Sequence, residues 1–345
     1  MTATVALNAR FQAHRVTGMQ RYAAELAGRL AGRIELVRPK VPLAGAKGHL
    51  WEQLYLPMVV GKRLLWSPNN TGPLAVSRQV CTFHDLIPLD HPEWFNPRFA
   101  DWYGWLLPRL ARRLPRLIAV SEFTKSRIVE LCKVPESKIS VVPNGVDERF
   151  RPQPAGSIAA MRSALSLPEG DYYLYVGSLE PRKNLAALLR AWKKAGESLP
   201  GDVHLVIAGA RGRSQIFAGT HEDPPPPRTF FTGYVADELL PSLYSGALAA
   251  VYPSLYEGFG LPPLEAMACG APVITSNTTS ISEVVGGAAV TVNPTSVDEI
   301  AEAMLAVAAN SRLRSELREA GLARAARFSW ERCAGDTWNL LRGLC

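Results

Sequence analysis

Residues 249–270 narrow most sharply what this chain can become. Ala249–Tyr252 is an apolar run of strand length, residues 257–260 form a glycine-rich turn, and Leu261-Pro262-Pro263 opens a helix that Gly270 stops. Proline in the first helical turn and glycine just past the last are start and stop signals. Strand, glycine turn and helix in that order is a building block of α/β sheets.

Such a turn leaves backbone N–H groups unpaired at the positive end of the helix dipole, and Gly258 and Gly260 let a ligand approach the backbone closely. The loop from Gly258 through Phe259 and Gly260 to Leu261 is therefore a candidate anion site. Two carboxylates frame it, Glu257 before the loop and Glu265 eight residues on. A carboxylate beside a phosphate site is unfavourable unless it accepts from hydroxyls, as the acidic residue of a dinucleotide fold does from a ribose. Phosphate and hydroxyls together describe a nucleotide sugar.

With 345 residues the chain is long enough for two domains, and its 47% apolar and 20% charged residues are those of a globular protein. There is no run of eighteen apolar residues, and residues 1–10 lack the basic start and apolar core of a signal peptide, so a cytoplasmic protein is expected. The five cysteines are widely spaced and form no C-x-x-C, which argues against a disulfide framework and a zinc site. Charge is unevenly placed. Residues 1–165 carry 23 Lys and Arg against 12 Asp and Glu, and residues 166–345 carry 15 against 19. A basic first half fits a lipid surface, a phosphorylated acceptor or nucleic acid, or is simply a solvated surface. No recognisable nucleic-acid motif groups these cations, so no nucleic acid is expected.

Strand-like runs recur at residues 2–7, 34–37, 64–66, 80–83, 117–120 and 138–142, with helical stretches between. The second half repeats the alternation, with runs at 172–176, 203–208, 230–235, 249–252, 273–275 and 289–292. This predicts two doubly wound parallel sheets, which bind ligands beyond the carboxyl ends of their strands. A proline-rich segment at 151–157 reads as the linker, and residues 211–228 as a polar loop. The expected domains are 1–160 and 161–327, with 328–345 a final helix. Arg182 and Lys183 follow Pro181 in the first turn of a helix, where cations oppose the helix dipole unless an anion binds there. A departing diphosphate needs such positive charge. No D-x-D occurs, so Arg182 and Lys183 take the task and no metal or other cofactor is expected.

Residues 94–115 interleave aromatics with arginines. At about 100° per residue Arg98, Trp105, Arg109 and Arg112 share one stripe, while Phe99, Trp102, Tyr103 and Leu106 form another, expected to be core. Trp105, Arg109 and Arg112 are candidates for contact with an acceptor or a membrane interface. Pro108 is expected to kink or break this helix.

Glu257-x7-Glu265 enclosing G-F-G-L, together with S-E-F-T-K-S, V-V-P-N-G-V-D and P-R-K, resembles the retaining glycosyltransferases of family four, which have the GT-B fold. The resemblance implies two Rossmann-like domains facing across a cleft, with the last helix returning to the first. It implies that Glu257 and His84 contact the donor sugar, that Arg182, Lys183 and the loop amides hold the diphosphate, and that Glu265 holds the ribose. By the same resemblance Gly18 lines the phosphate site, and Tyr234 and Val235 hold the base. The stretch H-D-L-I-P-L-D-H-P-E-W-F is similar to bacterial mannosyl- and rhamnosyltransferases of surface polysaccharide assembly. It implies transfer from GDP-mannose to a glycan or lipid-diphosphate-linked acceptor by an enzyme lying peripherally on the inner membrane face. The competing expectations are a sugar-nucleotide epimerase or phosphorylase on the same fold, and a non-catalytic membrane- or nucleotide-binding module.

Overall fold

The computed structural model describes residues 5–13, 18–43, 45–178, 180–209 and 224–345. Among these, the chain forms two units, Met1–Pro92 with Pro97–Gly145 and Phe328–Cys345, and Glu93–Asn96 with Val146–Arg327. Each is built on one sheet of six parallel strands flanked by helices.

The first sheet holds β1 (Val5–Asn8), β2 (Ile34–Val37), β3 (Leu65–Ser67), β4 (Gln79–Phe83), β5 (Arg116–Ala119) and β6 (Ile139–Val141) in the order β2-β1-β3-β4-β5-β6. The second holds β7 (Tyr172–Val176), β8 (His204–Ala208), β9 (Thr229–Gly233), β10 (Ala249–Tyr252), β11 (Val273–Ser276) and β12 (Val290–Val292) in the order β12-β11-β10-β7-β8-β9. The apolar runs fold as strands because helices cover both faces of a parallel sheet, so neither side of a central strand meets water. β1, β3, β4, β7 and β10 are buried or nearly so along their length. Against the second sheet pack Leu188, Ala191 and Trp192 of the helix Leu185–Gly196, with Ile300, Met304 and Val307 of Val297–Ala309. Each fully buried side chain of this size contributes roughly 1.5–3 kcal/mol.

The last helix, Trp330–Arg342, packs on Gly18–Arg29 of the first unit. Ser329 caps it by accepting from the Arg332 N–H at 3.2 Å, Trp330 meets Tyr22 edge-on, and Arg29 donates to Glu331 at 2.7 Å. Gly145 lies against the start of this helix, where a Cβ would fall 2.2 Å from the Trp330 nitrogen.

Three local expectations are corrected. The linker is only half a linker, because Ala155–Ala164 is a helix packed on Leu240–Ser245, and the second unit begins at Val146. Pro108 does not break its helix, which runs unbroken over Pro97–Arg113. The carbonyl that loses its donor belongs to Gly104, an exposed residue with nothing within 4 Å of where its Cβ would be, so water can reach it. The buried face of that helix is Ala100, Leu106, Leu107, Leu110 and Ala111, while Phe99, Trp102 and Tyr103 remain partly exposed. Of the polar loop at 211–228, residues 211–223 lie outside those described.

Candidate active site

Strands β7 and β10 are neighbours at the centre of the second sheet, and their successors diverge, β8 and β9 to one side and β11 and β12 to the other. At such a reversal the loops leaving the carboxyl ends part and open a crevice. Both sequence motifs sit there. β7 leads to Pro181–Lys183 and β10 to the loop before Leu261. Pro181–Lys183 is a 3₁₀ turn and the α-helix begins only at Leu185, so Arg182 and Lys183 precede the helix instead of occupying its first turn. Asn184 ends the turn in the left-handed region at φ 57°. Its Nδ2 donates to the carbonyls of Pro253 at 2.9 Å and Pro294 at 2.7 Å, and the Leu255 N–H donates to the Arg182 carbonyl at 2.8 Å. The two loops are thereby fastened to each other.

Fastening brings Glu257 between the two cations. Lys183 Nζ lies 2.5 Å from Glu257 Oε1, and Arg182 Nη1 lies 2.9 Å from Oε2. Glu180 holds the other side of Arg182, with Oε2 at 2.9 Å from Nε. Glu257 and Lys183 are both buried. Burial by itself would raise the Glu257 carboxyl, but the Lys183 and Arg182 charges outweigh it and hold the group at about 2. Burial, then the charge of Arg182, lowers the Lys183 ammonium, and Glu257 works against both. Two cations and two carboxylates leave the cluster without net charge. An incoming diphosphate would be the first uncompensated anion there.

The glycine loop is set from below by Ser280, whose hydroxyl donates to the Glu257 carbonyl at 2.8 Å. Gly260 caps the helix Leu261–Ala268 at φ 107°, a conformation that L side chains rarely adopt. Phe259 is buried. Glu265, in the second turn, belongs to a different network. The Tyr244 hydroxyl donates to its Oε2 at 3.2 Å and lies 3.2 Å from that of Tyr252, which donates to the Val176 carbonyl at 2.9 Å. Burial pushes both phenols well up, so both stay protonated donors. Val235 is buried and Tyr234 exposed, just after β9 and away from the reversal.

The remaining candidates lie in the first unit. His84 follows β4 and is buried, its Nε2 2.8 Å from the Pro68 carbonyl and its ring 4.7 Å from that of Tyr22. Burial lowers it to about 4 despite that bond, so at neutral pH Nε2 carries the proton and Nδ1 is the acceptor. Gly18 is the exposed first residue of the helix that carries Tyr22, after residues 14–17, which lie outside those described. Trp105 is exposed with the Arg109 guanidinium 4.8 Å above its ring, whereas Arg112 turns aside to donate to the Cys132 carbonyl at 2.8 Å. Sequence reasoning missed Asn184, Tyr244, Tyr252 and Ser280. It also missed Glu52, a buried carboxylate that accepts from Asn8 at 2.7 Å and Thr71 at 3.1 Å. Of these only Asn184 left a signal, as asparagine tolerates the left-handed region better than other residues.

A family model described as glycosyl transferases group 1 matches residues 158–324, and one described as glycosyltransferase family 4 matches residues 65–150. The chain is 34% identical to the O-antigen chain mannosyltransferase B of Escherichia coli over 79% of its own length and 72% of that protein's. It is 33% identical to the serotype-specific mannosyltransferase WbdA of Escherichia coli over 74% of its own length, but it spans only about a third of WbdA, 32%. Among solved structures it is similar to HepE of Anabaena in complex with UDP, with a TM-score of 0.78, 16% identity, and coverage of 99% of this chain and 100% of that one. At that identity the likeness bears on the fold. Taken with the Glu257 and Glu265 loop at the strand reversal, these matches show that the chain belongs to the family 4 glycosyltransferases and has their GT-B fold of two Rossmann-like units.

Proposed function

We propose that the chain transfers mannose from GDP-mannose to a hydroxyl of a glycan or lipid-diphosphate-linked oligosaccharide, with retention at the anomeric carbon, in surface polysaccharide assembly. The observation that carries this reading is Glu257 caught between Arg182 and Lys183 at the strand reversal. The names of the similar mannosyltransferases support the sugar, and the UDP of the HepE complex supports a nucleotide donor. In this reading the diphosphate takes over the Arg182 and Lys183 hydrogen bonds, and Glu257, kept ionised, accepts from sugar hydroxyls. Glu265 accepts from the ribose, with Tyr244 fixing its orientation. The acceptor oxygen bonds to the anomeric carbon as the bond from that carbon to the diphosphate breaks, and the acceptor proton passes to the departing phosphate oxygen on the same face. His84 is assigned to the sugar, Gly18 to the phosphates, and Tyr234 and Val235 to the base by family resemblance. The two fixed cations serve in place of a metal, and the enzyme works on the cytoplasmic face of the membrane.

A thermal-shift panel of GDP-mannose, UDP-glucose, UDP-N-acetylglucosamine, dTDP-rhamnose and GDP-rhamnose, with and without chelator, tests this. GDP-mannose at a hundred times its Kd should stabilise the protein by about 2.7 kcal/mol. The shift should survive chelator and be lost in Glu265→Ala. A larger shift with another donor would replace mannose, loss in chelator would reinstate a metal, and no shift at all would leave a vestigial site.

A further inference from the structure

We propose that the outward face of residues 45–60 in the first unit docks on an anionic lipid surface. This deepens the membrane association proposed above and rests on it, while the donor reading is tested on the other unit, so the two fail separately. A surface helix normally turns its apolar side inward and its polar side to water. Here the outward side is apolar as well. Gly45–Leu50, a π-helical turn over Trp51–Tyr55, and Leu56–Val60 make one helical run. Its inward side holds Trp51, Leu56 and Val60 together with the carboxylate of Glu52. Its outward side presents Leu50, Leu54 and Met58 at 61%, 62% and 71% exposure, with Tyr55 and Val59 beside them at 48% and 40%. The four-residue spacing of the first three sets them in a row along the helix. Leu36, on the neighbouring strand β2, and Val41 are exposed as well.

Single exposed apolar side chains need no account, but a continuous row of them marks a surface that something covers. Charge selects what covers it. Residues 34–63 contain five cations, Arg38, Lys40, Lys47, Lys62 and Arg63, and two acids, Glu35 and Glu52. Glu35 is paired with Arg63 at 2.5 Å, and Glu52 is buried against Arg10 at 3.4 Å. Lys47 lies on the apolar face and Lys62 just beyond its end, both exposed. Apolar side chains that enter the acyl boundary while lysines reach phosphate headgroups are how a helix lies in a bilayer interface. Lysine is depleted in the core of protein interfaces, so its place on this face favours lipid over a protein partner.

Co-sedimentation with vesicles of phosphatidylcholine, alone or mixed with phosphatidylglycerol, reads the proposal directly. The full chain should bind the mixed vesicles and lose binding in high salt. Leu50→Ser, Leu54→Ser and Met58→Ser combined should weaken binding by at least about tenfold, and Lys47→Glu should weaken it about fivefold or more. All four side chains are exposed, so these variants should melt with the wild type by circular dichroism, which separates lost binding from lost folding. Absence of binding by the wild type would overturn the proposal. So would loss of binding in Trp105→Ser but not in the triple variant. If light scattering shows a dimer that the triple variant dissociates, the face belongs to a second copy of this chain and not to lipid.

Discussion

At the scale of single residues, Glu257 has two reasons to be ionised and one not to be. Burial opposes its charge, and the adjacent Lys183 and Arg182 restore it, which makes the carboxylate available as a hydrogen-bond acceptor at any physiological pH. The same arrangement makes Lys183 depend on it. Removing one member of a buried pair leaves the other uncompensated, at a cost of about 3–5 kcal/mol, whereas replacing both by uncharged groups of similar shape costs far less. Glu257→Ala should therefore destabilise the ligand-free protein more than Lys183→Met does, because Glu257 retains Arg182 when Lys183 is gone. Glu257→Gln combined with Lys183→Met should be more stable than the two single losses predict, with a coupling of at least about 1 kcal/mol in urea unfolding. Strict additivity would mean that the 2.5 Å contact contributes nothing and that the cations do not need Glu257 in the absence of donor.

At the scale of elements, the site depends on two loops being locked together, and Asn184 is the lock. Its side chain joins the turn after β7 to the ends of β10 and β12 while its backbone stays in the left-handed region. Asn184→Ala should cost about 2–3 kcal/mol, the loss of two hydrogen bonds plus backbone strain, and Asn184→Gly should recover roughly 1 kcal/mol of that by removing the strain. Equal melting of the two variants would show that the strain is not there. The strands themselves were legible, because a parallel sheet covered on both faces writes each strand as a short apolar run between turn residues, as in 172–176 and 249–252. The glycine loop and the P-R-K turn were legible for a related reason, since backbone geometry there restricts which residues can stand. What could not be read is set by tertiary contact. Nothing local to Lys183 announces that it is buried against a carboxylate 74 positions away. Nothing in the periodicity of residues 45–60 says which face looks outward, because both faces are apolar and the one carboxylate, Glu52, lies on the inward one. Pro108 leaves its helix unbroken because the cost of proline depends on the carbonyl one turn back, and here that carbonyl belongs to an exposed glycine.

At the scale of the whole molecule, each unit carries a buried group that titrates well away from its ordinary value, His84 in the first and Glu257 in the second, and the two respond to acid in different windows. In the first unit burial lowers His84 to about 4, with the Pro68 carbonyl working against it, from an ordinary 6.5. Between those values the unfolded chain takes up a proton that the folded unit refuses, so the stabilisation present above pH 6.5 is lost as pH falls to about 4, by about 3 kcal/mol in all. In the second unit burial raises Glu257, the cations more than reverse it, and the carboxyl falls from 4.5 to about 2. Its contribution, again about 3 kcal/mol, is present above pH 4.5 and lost only as pH falls through about 2. Acid should therefore loosen the first unit before the second. Hydrogen exchange read by mass spectrometry, corrected for the intrinsic pH dependence of the amide rate, resolves the two. Peptides covering β4 and β5 should lose protection between pH 6.5 and 4, while those covering β7 and β10 hold until below 4.5. His84→Asn, which removes the first titration, should flatten the loss in β4 and β5 and leave β7 and β10 unchanged. Simultaneous loss in both sheets, or a first phase that persists in His84→Asn, would mean that His84 does not govern the acid response and that its burial is offset elsewhere in the unit.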